Sequence, residues 1–426
     1  MTPAPSTSIS PPIRDRLFQL AVVGLLVLAT LFVGRIVLKQ GGLNQVDFHS
    51  YWYAGIFLRE GVDPYRAWEE GLTPTGVVHF LDGVSIAGEA VAVSGLATVP
   101  ANTAPLVMLV SPLSWFSWPV ASRLWMLINI GLGLSLACLV LIAVRPQVRV
   151  WPFLAVVGLL FSLTSTREAL ETGQTTLIVL VLMMGAHVAV RRHPWLAGIL
   201  LGFALSKYSL AFPLVLLWLL QRRWRPLLLA GGVQVAGLLL LWGLDGSNPI
   251  TTLGRYWAMI QFHADMVGMH LRGGLLAETG AMGLIIVGLL TLLVGGVTAH
   301  ALGRDQARQL RLLPADTPYA YLLLVVIMLW NLLALYHRRY DHTAVILYLA
   351  LVLFSLPAYG AGHGRWFRTL QLVAIAQAAI WILPIYAVTG NGWYVALFTA
   401  ANLLALGGAL FLLSRDSLTR ATPGSG

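Results

Sequence analysis

The sequence predicts an all-α polytopic membrane protein, and three observations carry that prediction. The chain is 58% hydrophobic and only 10% charged, against roughly 25% charged in ordinary globular proteins. Apolar runs recur from end to end, each long enough for a helix across a hydrocarbon core of about 30 Å. The longest polar interruption, residues 39–104, is too small to hold a soluble domain of useful size. The single cysteine, Cys138, lies inside an apolar run and excludes both a disulfide framework and a thiolate metal site. The formal charge of +10 rests mostly on arginines in short links between apolar runs. It therefore reports topology, and nothing supports a nucleic-acid partner.

Taken in order, residues 17–38 form the first expected span. They are too long and too apolar for a cleaved signal segment and no small-residue cleavage site follows. Further spans are expected over 119–144, 150–166, 174–190, 195–206, 207–221, 227–244, 280–301, 318–336, 342–357, 369–388 and 394–414. That makes about 12 transmembrane helices at spanning length. Residues 1–16 and 415–426 are expected to be cytoplasmic tails around one membrane domain, 17–414.

The arginines orient the set, because cytoplasmic loops carry excess Lys and Arg. Arg14 and Arg16 place the N-terminus inside and residues 39–104 outside, where Asp47, Glu60, Asp63, Glu69, Glu70, Asp82 and Glu89 outnumber the cations. Two foldings compete over the middle. In one, the apolar piece 105–118, with Pro105 and Pro112, is re-entrant, and 195–206 with 207–221 make an indented hairpin. Arg145, Arg149, Arg191, Arg192, Arg222, Arg223 and Arg225 then all lie inside. In the other, 105–118 crosses and 195–221 is one helix, which strands four of these arginines outside. The charge rule favours the first.

Four polar constellations could carry chemistry. Asp47 and His49 follow the first span and open an amphipathic stretch, 48–60, expected as a short helix on the outer surface. Its aromatic residues, Tyr51 among them, suit the membrane interface. Asp47 is also placed to cap that helix, and Asp63-Pro64-Tyr65 reads first as a turn. The second constellation, Arg167 to Gln174, joins two apolar runs and includes Glu168, Glu171 and Gly173. The third is Lys207, in the middle of an apolar stretch, where a charge is costly and marks a functional site unless it snorkels to an interface. The fourth is Tyr336-His337-Arg338-Arg339-Tyr340-Asp341-His342. It faces outside on this topology, where clustered arginines call for an anionic ligand such as a phosphate or for Asp341 as a local partner. His263, Asp265, His270 and Arg272 match no metal-binding spacing and read as solvated or substrate-lining. A general base and several cations on one membrane face suit group transfer from a phosphate-linked donor.

At this point the chain resembles a known family. Asp47-Phe48-His49-Ser50-Tyr51-Trp52-Tyr53-Ala54-Gly55, followed by Gly61-Val62-Asp63-Pro64-Tyr65, resembles the opening signature of glycosyltransferase family 87, in the GT-C superfamily of integral-membrane enzymes. Pro105 to Pro112 with Ala121-Ser122-Arg123-Leu124-Trp125 resembles its proline-rich segment, and Gly173-Gln174 its Gly-Gln motif. Residues 197–207, ending at Lys207 ahead of Arg222-Arg223-Trp224-Arg225, resemble its Gly/Lys segment, and 336–342 a late His-containing loop. Thr176 stands where the family commonly has Asn, and Tyr208-Ser209 where a proline is expected nearby.

The resemblance implies a GT-C-like fold and an inverting transfer of a mannose-like or pentose sugar. The donor is a polyprenyl-phosphate sugar, the acceptor a lipid or glycan hydroxyl, and the site lies on the extracytoplasmic side of the plasma membrane, among its lipids. It implies Asp47 as catalytic base, with His49, Tyr51, Gln174, Lys207, His337, Arg338, Arg339 and His342 toward substrate. It implies no cofactor. Because Asp47-Phe48-His49 is not an Asp-X-Asp, no obligatory metal is expected either. The reading from another class is a transporter or flippase for a lipid-linked or anionic solute, suggested by Lys207 at membrane depth. Against it stands the lack of paired broken helices in two related halves.

Overall fold

The computed structural model describes residues 11–40, 45–72, 85–86, 89–90, 100, 102–144, 148–246, 248–268, 281–310, 317–334, 337, 339–355, 365–383 and 385–414. Within them the chain is helical apart from a two-residue antiparallel ladder, Ser85–Ile86 with Glu89–Ala90. The helices are α1 (Pro11–Gln40), α2 (Val46–Arg59), α3 (Pro64–Glu69), α4 (Ala104–Val110), α5 (Trp118–Val144), α6 (Val150–Ser162), α7 (Thr164–Thr172), α8 (Thr176–Ala189), α9 (Pro194–Ala204), α10 (Tyr208–Leu220), α11 (Trp224–Asp245), α12 (Pro249–Gly268), α13 (Ala281–Leu310) and α14 (Pro318–Ala334). A 3-10 helix (Arg339–Val345), α15 (Ile346–Ala350) and a π-helical stretch (Leu351–Ser355) follow, then α16 (Arg365–Ile382) and α17 (Ile385–Ser414).

Five of the described helical runs are long and apolar enough to cross a membrane, or six if α6 and α7, bent by 65°, count as one. The remaining apolar helices, such as Thr176–Ala189 and Tyr319–Ala334, are shorter. The protein is thus an all-helical, multi-pass membrane protein, with five or six full-length apolar spans among the described residues where the sequence suggested about twelve. Leu20 and Leu31 of α1, Leu228 and Leu240 of α11, and Leu289 and Leu292 of α13 are exposed on the outside of the bundle. Such surfaces suit lipid, and would be a liability in water. α14 and residues 340–352 fill the middle and are almost wholly buried.

The stretch Pro194–Leu220 reaches spanning length only when read through Lys207, and it is not one rod. Lys207 has φ −116° and ψ 72°, outside the helical region. The direction of travel follows from α11. Gly198 faces Pro226 and Leu229, and Gly202 faces Val233, while the Gln234 side chain donates to the Gly202 carbonyl at 2.6 Å. These partners climb together, so α9 and α11 run parallel. Only residues 221–223 join α10 to α11, so α10 must run back from Lys207 to the start of α11. The pair α9–α10 reverses at Lys207.

Segment 104–115 does not traverse the bundle either. It begins at the α9–α10 reversal, where the Thr103 N–H donates to the Ser206 carbonyl at 3.3 Å and the Leu106 N–H to its hydroxyl at 3.2 Å. It ends beside α2, with Ser111 and Ser114 against Gly55 and Trp118 stacked on Phe48 at 5.6 Å. Both ends lie at the same end of the bundle. The links at Arg149, at Arg191 and Arg192, and at Arg222, Arg223 and Arg225 gather at the opposite end. α8 separates the two, and its 14 residues span about 21 Å.

Candidate functional site

The site is organised by the turn between α7 and α8. Gly173 ends α7 in the left-handed region, at φ 72°, where glycine alone carries no steric penalty. A Cβ there would meet Phe48 and Gln45 at 2.7 and 2.8 Å, so the turn presses against the start of α2. The Trp125 indole donates to the Gly173 carbonyl at 2.8 Å, and Phe48 stacks on Trp125 at 4.9 Å. These contacts bring α2 to the N-terminus of α8.

Three side chains meet at that N-terminus. The Lys207 ammonium donates to the Thr176 hydroxyl at 2.9 Å and to Asp341 Oδ1 at 2.5 Å. Thr176 in turn donates to the same carboxylate oxygen at 2.9 Å. His337 Nδ1 stands 3.6 Å from the other oxygen of Asp341. Asn331 orients this histidine, donating to its Nε2 at 3.0 Å and to the Ser209 carbonyl at 2.7 Å. Lys207 also lies 4.6 Å from the centre of the Tyr340 ring. Burial alone would push the Asp341 carboxyl up, but Lys207 and His337 outweigh it and hold the group below the usual carboxylate range.

α2 supplies the other wall. Asp47 and Tyr51, four residues apart, share one face of the helix. The Tyr51 hydroxyl and the Thr175 hydroxyl are 3.2 Å apart. Burial raises the Tyr51 phenol, the Thr175 bond opposes this, and the charges of Asp47 and Asp341 raise it further. Tyr51 therefore feels the charge of both carboxylates. The residue capping α2 is Gln45, so Asp47 falls in the first turn and is not the cap. The Ser50 hydroxyl donates to the Asp47 backbone carbonyl at 2.7 Å. The Asp47 carboxylate itself is half-buried and has no hydrogen-bond or ion-pair partner among the described residues.

The remaining residues singled out from the sequence are distributed unevenly. Gln174 is buried at the same turn, its N–H held by the Ala169 carbonyl at 2.8 Å. Its side-chain amide has no partner among the described residues. Arg339 sits at the rim, 3.3 Å from Glu168. His49 lies on the face of α2 opposite Asp47, between Trp118, Tyr53 and Trp52 at 4.7, 4.3 and 5.9 Å. Burial lowers it to about 4, so it is neutral at physiological pH. His342 turns away from Lys207, its Nδ1 3.1 Å from the Asn402 amide and its ring edge-on to Phe398. Asp63 caps α3, accepting from the Tyr65 N–H at 3.0 Å, as the turn reading expected. Arg338, His270 and Arg272, and the side chains of His263 and Asp265, lie outside the described residues.

Asp341 as the partner of Lys207, together with Thr175 and Asn331, was not singled out from the sequence, and Thr176 was marked only as standing where the family commonly has Asn. One signal for Asp341 was available: a buried ammonium requires a paired carboxylate, and few acidic residues follow Gly173 in this chain.

Residues 102–361, more than half of the chain, match the model of glycosyltransferase family 87. The chain belongs to this family. It is a membrane glycosyltransferase, of the GT-C type. The family 87 match takes in Gln174, Lys207, His337 and Asp341, and it begins after α2, so Asp47 lies outside it. Neither the curated proteins nor the solved structures provide a match to this chain.

Proposed function

We propose that this glycosyltransferase moves a sugar from a polyprenyl-phosphate donor to a hydroxyl of a lipid or glycan acceptor, with inversion, at the extracytoplasmic face of the plasma membrane. The observation that carries the reading is a carboxylate with no partner among the described residues, Asp47, on the face of α2 whose Tyr51 meets Thr175, together with a largely buried ammonium, Lys207, on the neighbouring Thr176. Link arginines support this choice of side. Arg149, Arg191, Arg192, Arg222, Arg223 and Arg225 lie in links at the end away from this turn, and excess positive charge in such links marks the cytoplasm.

In the proposed reaction Asp47 takes the proton of the acceptor hydroxyl. The acceptor oxygen forms a bond to the anomeric carbon from the face opposite the phosphate. The bond from that carbon to the phosphate oxygen breaks, and its electron pair leaves with the polyprenyl phosphate. The donor phosphate carries one charge as a diester and gains a second as a monoester. The first N–H groups of α8 have no intrahelical partner and favour an anion. Lys207 stands beside them, Arg339 is at the rim, and the Gln174 amide is unpaired among the described residues. These groups would stabilise the charge as it develops. Asp341 and His337 hold Lys207 in place.

The test is a transfer assay in proteoliposomes with a panel of polyprenyl-phosphate sugars. Asp47→Asn should lower transfer by about 10²–10⁴-fold, the range for loss of a general base, while expression is unchanged. Near-normal transfer by this variant would overturn the role of Asp47. Transfer from nucleotide sugars, with none from any polyprenyl phosphate, would overturn the donor class.

A further inference from the structure

α11 ends at Gly246 in the left-handed region, φ 68°, and α12 begins within three residues. Its start is capped by Asn248, whose side chain accepts from the Ile250 N–H at 2.9 Å. One side of α12 is packed. Thr252 and Met259 are buried, Tyr256 meets the Tyr65 ring at 5.3 Å, and Arg255 reaches Glu69 at 2.7 Å and Asp63 at 3.9 Å. The other side is exposed and apolar. Ile250 (78%), Leu253 (54%) and Trp257 (60%) are all open, and their spacing of three and four residues puts them on one stripe. Between residues 249 and 262 the only charged side chain is Arg255, and it is turned inward. An uncharged face with three large apolar side chains is a poor surface for water. It continues the exposed apolar surface of the span α11, where Trp242 and Leu244 are open.

We infer that α12 lies on the membrane at the site end of the bundle, with Ile250, Leu253 and Trp257 in the boundary between headgroups and acyl chains. Helices of this kind sit about 5–10 Å into that boundary. The outer face has no Lys or Arg, so apolar burial holds it there, and anionic lipid adds nothing. Through Arg255 the helix grips α3 at Asp63 and Glu69. α3 directly follows α2, which carries Asp47. The lipid surface thereby sets the depth at which α2 stands.

The test needs no assumption about the transfer reaction. Cys138→Ala leaves a cysteine-free chain, to which Leu253→Cys and Trp257→Cys are added one at a time and spin-labelled. Glu60→Cys serves as a reference expected to face water. In phosphatidylcholine vesicles both α12 labels should be relaxed more strongly by oxygen than by a water-soluble nickel chelate. The order should reverse at residue 60, and anionic phosphatidylglycerol should not change the depth. Stronger relaxation by the chelate at 253 and 257 would show a water-facing helix and overturn the inference. Shielding from both reagents, with spin–spin broadening, would show a second copy of the chain on this face and overturn it equally. A depth that grows with anionic lipid would overturn the claim that apolar burial alone holds the helix.

Discussion

Replacing Asp341 with leucine removes the carboxylate that neutralises Lys207 inside the bundle. The two groups are 2.5 Å apart, with their side chains only 4% and 13% exposed. After the change the ammonium retains the Thr176 hydroxyl and the Tyr340 ring, neither of which carries a compensating charge. Breaking a buried ion pair from one side costs about 3–5 kcal/mol, because the abandoned charge stays buried. Lys207→Met should cost a similar amount, leaving Asp341 with Thr176 and His337. The double variant Lys207→Met/Asp341→Leu buries no unpaired charge and should be more stable than either single variant. The assay is reversible unfolding from mixed micelles by a denaturing detergent, followed by helical circular dichroism, for all four proteins. A loss in the double variant equal to the sum of the single losses would mean that the two side chains do not interact, and would refute the argument. Transfer measured on the same samples separates fold from chemistry: the double variant should be well folded and still inactive, since Lys207 is gone.

Gly173→Ala should destabilise the protein by more than about 1–2 kcal/mol, the usual cost of a left-handed residue with a side chain, because the new Cβ also meets Phe48 and Gln45; the same unfolding assay checks this. Asp63→Ala should cost about 1 kcal/mol as a lost helix cap yet leave transfer per folded molecule close to normal, since Asp63 caps α3 and pairs with Arg255; a thousandfold loss of transfer would mean that it is a second catalytic acid. His49 has a folded pKa of about 4 against 6.5 unfolded, so the unfolded chain binds the extra proton in that window. Stability from His49 is present above pH 6.5 and is lost as pH falls toward 4, by about 3 kcal/mol at most; His49→Phe should flatten the loss in unfolding measured across that range.

Much of the site was legible because costly residues stand out in an apolar chain. Lys207 was conspicuous, and so was Asp47 directly after the first span. The reversal at Lys207 was legible too, since 195–206 is too short to cross alone and the arginines at 191–192 and 222–225 lie on either side of the pair. Orientation was not legible. His49 and Asp47 are two residues apart, yet helix geometry sends them to opposite faces of α2, one into an aromatic cluster and the other toward Tyr51. His342 follows Asp341 directly and still turns to Asn402 on α17.

By itself the sequence determined that the chain is a helical membrane protein, which links carry the arginines, and which polar segments interrupt the apolar runs. Hydropathy and charge are local sums along the chain, so they survive without knowledge of neighbours. Only the tertiary structure decided that Lys207 pairs with Asp341, 134 residues away, that Thr175 and Thr176 join Tyr51 to that pair, and that α12 turns Arg255 inward. Such partners depend on the rotation and level of each helix against the next. Those are set by packing across the bundle, including contacts as small as the hydrogen that lets Gly173 lie against Phe48.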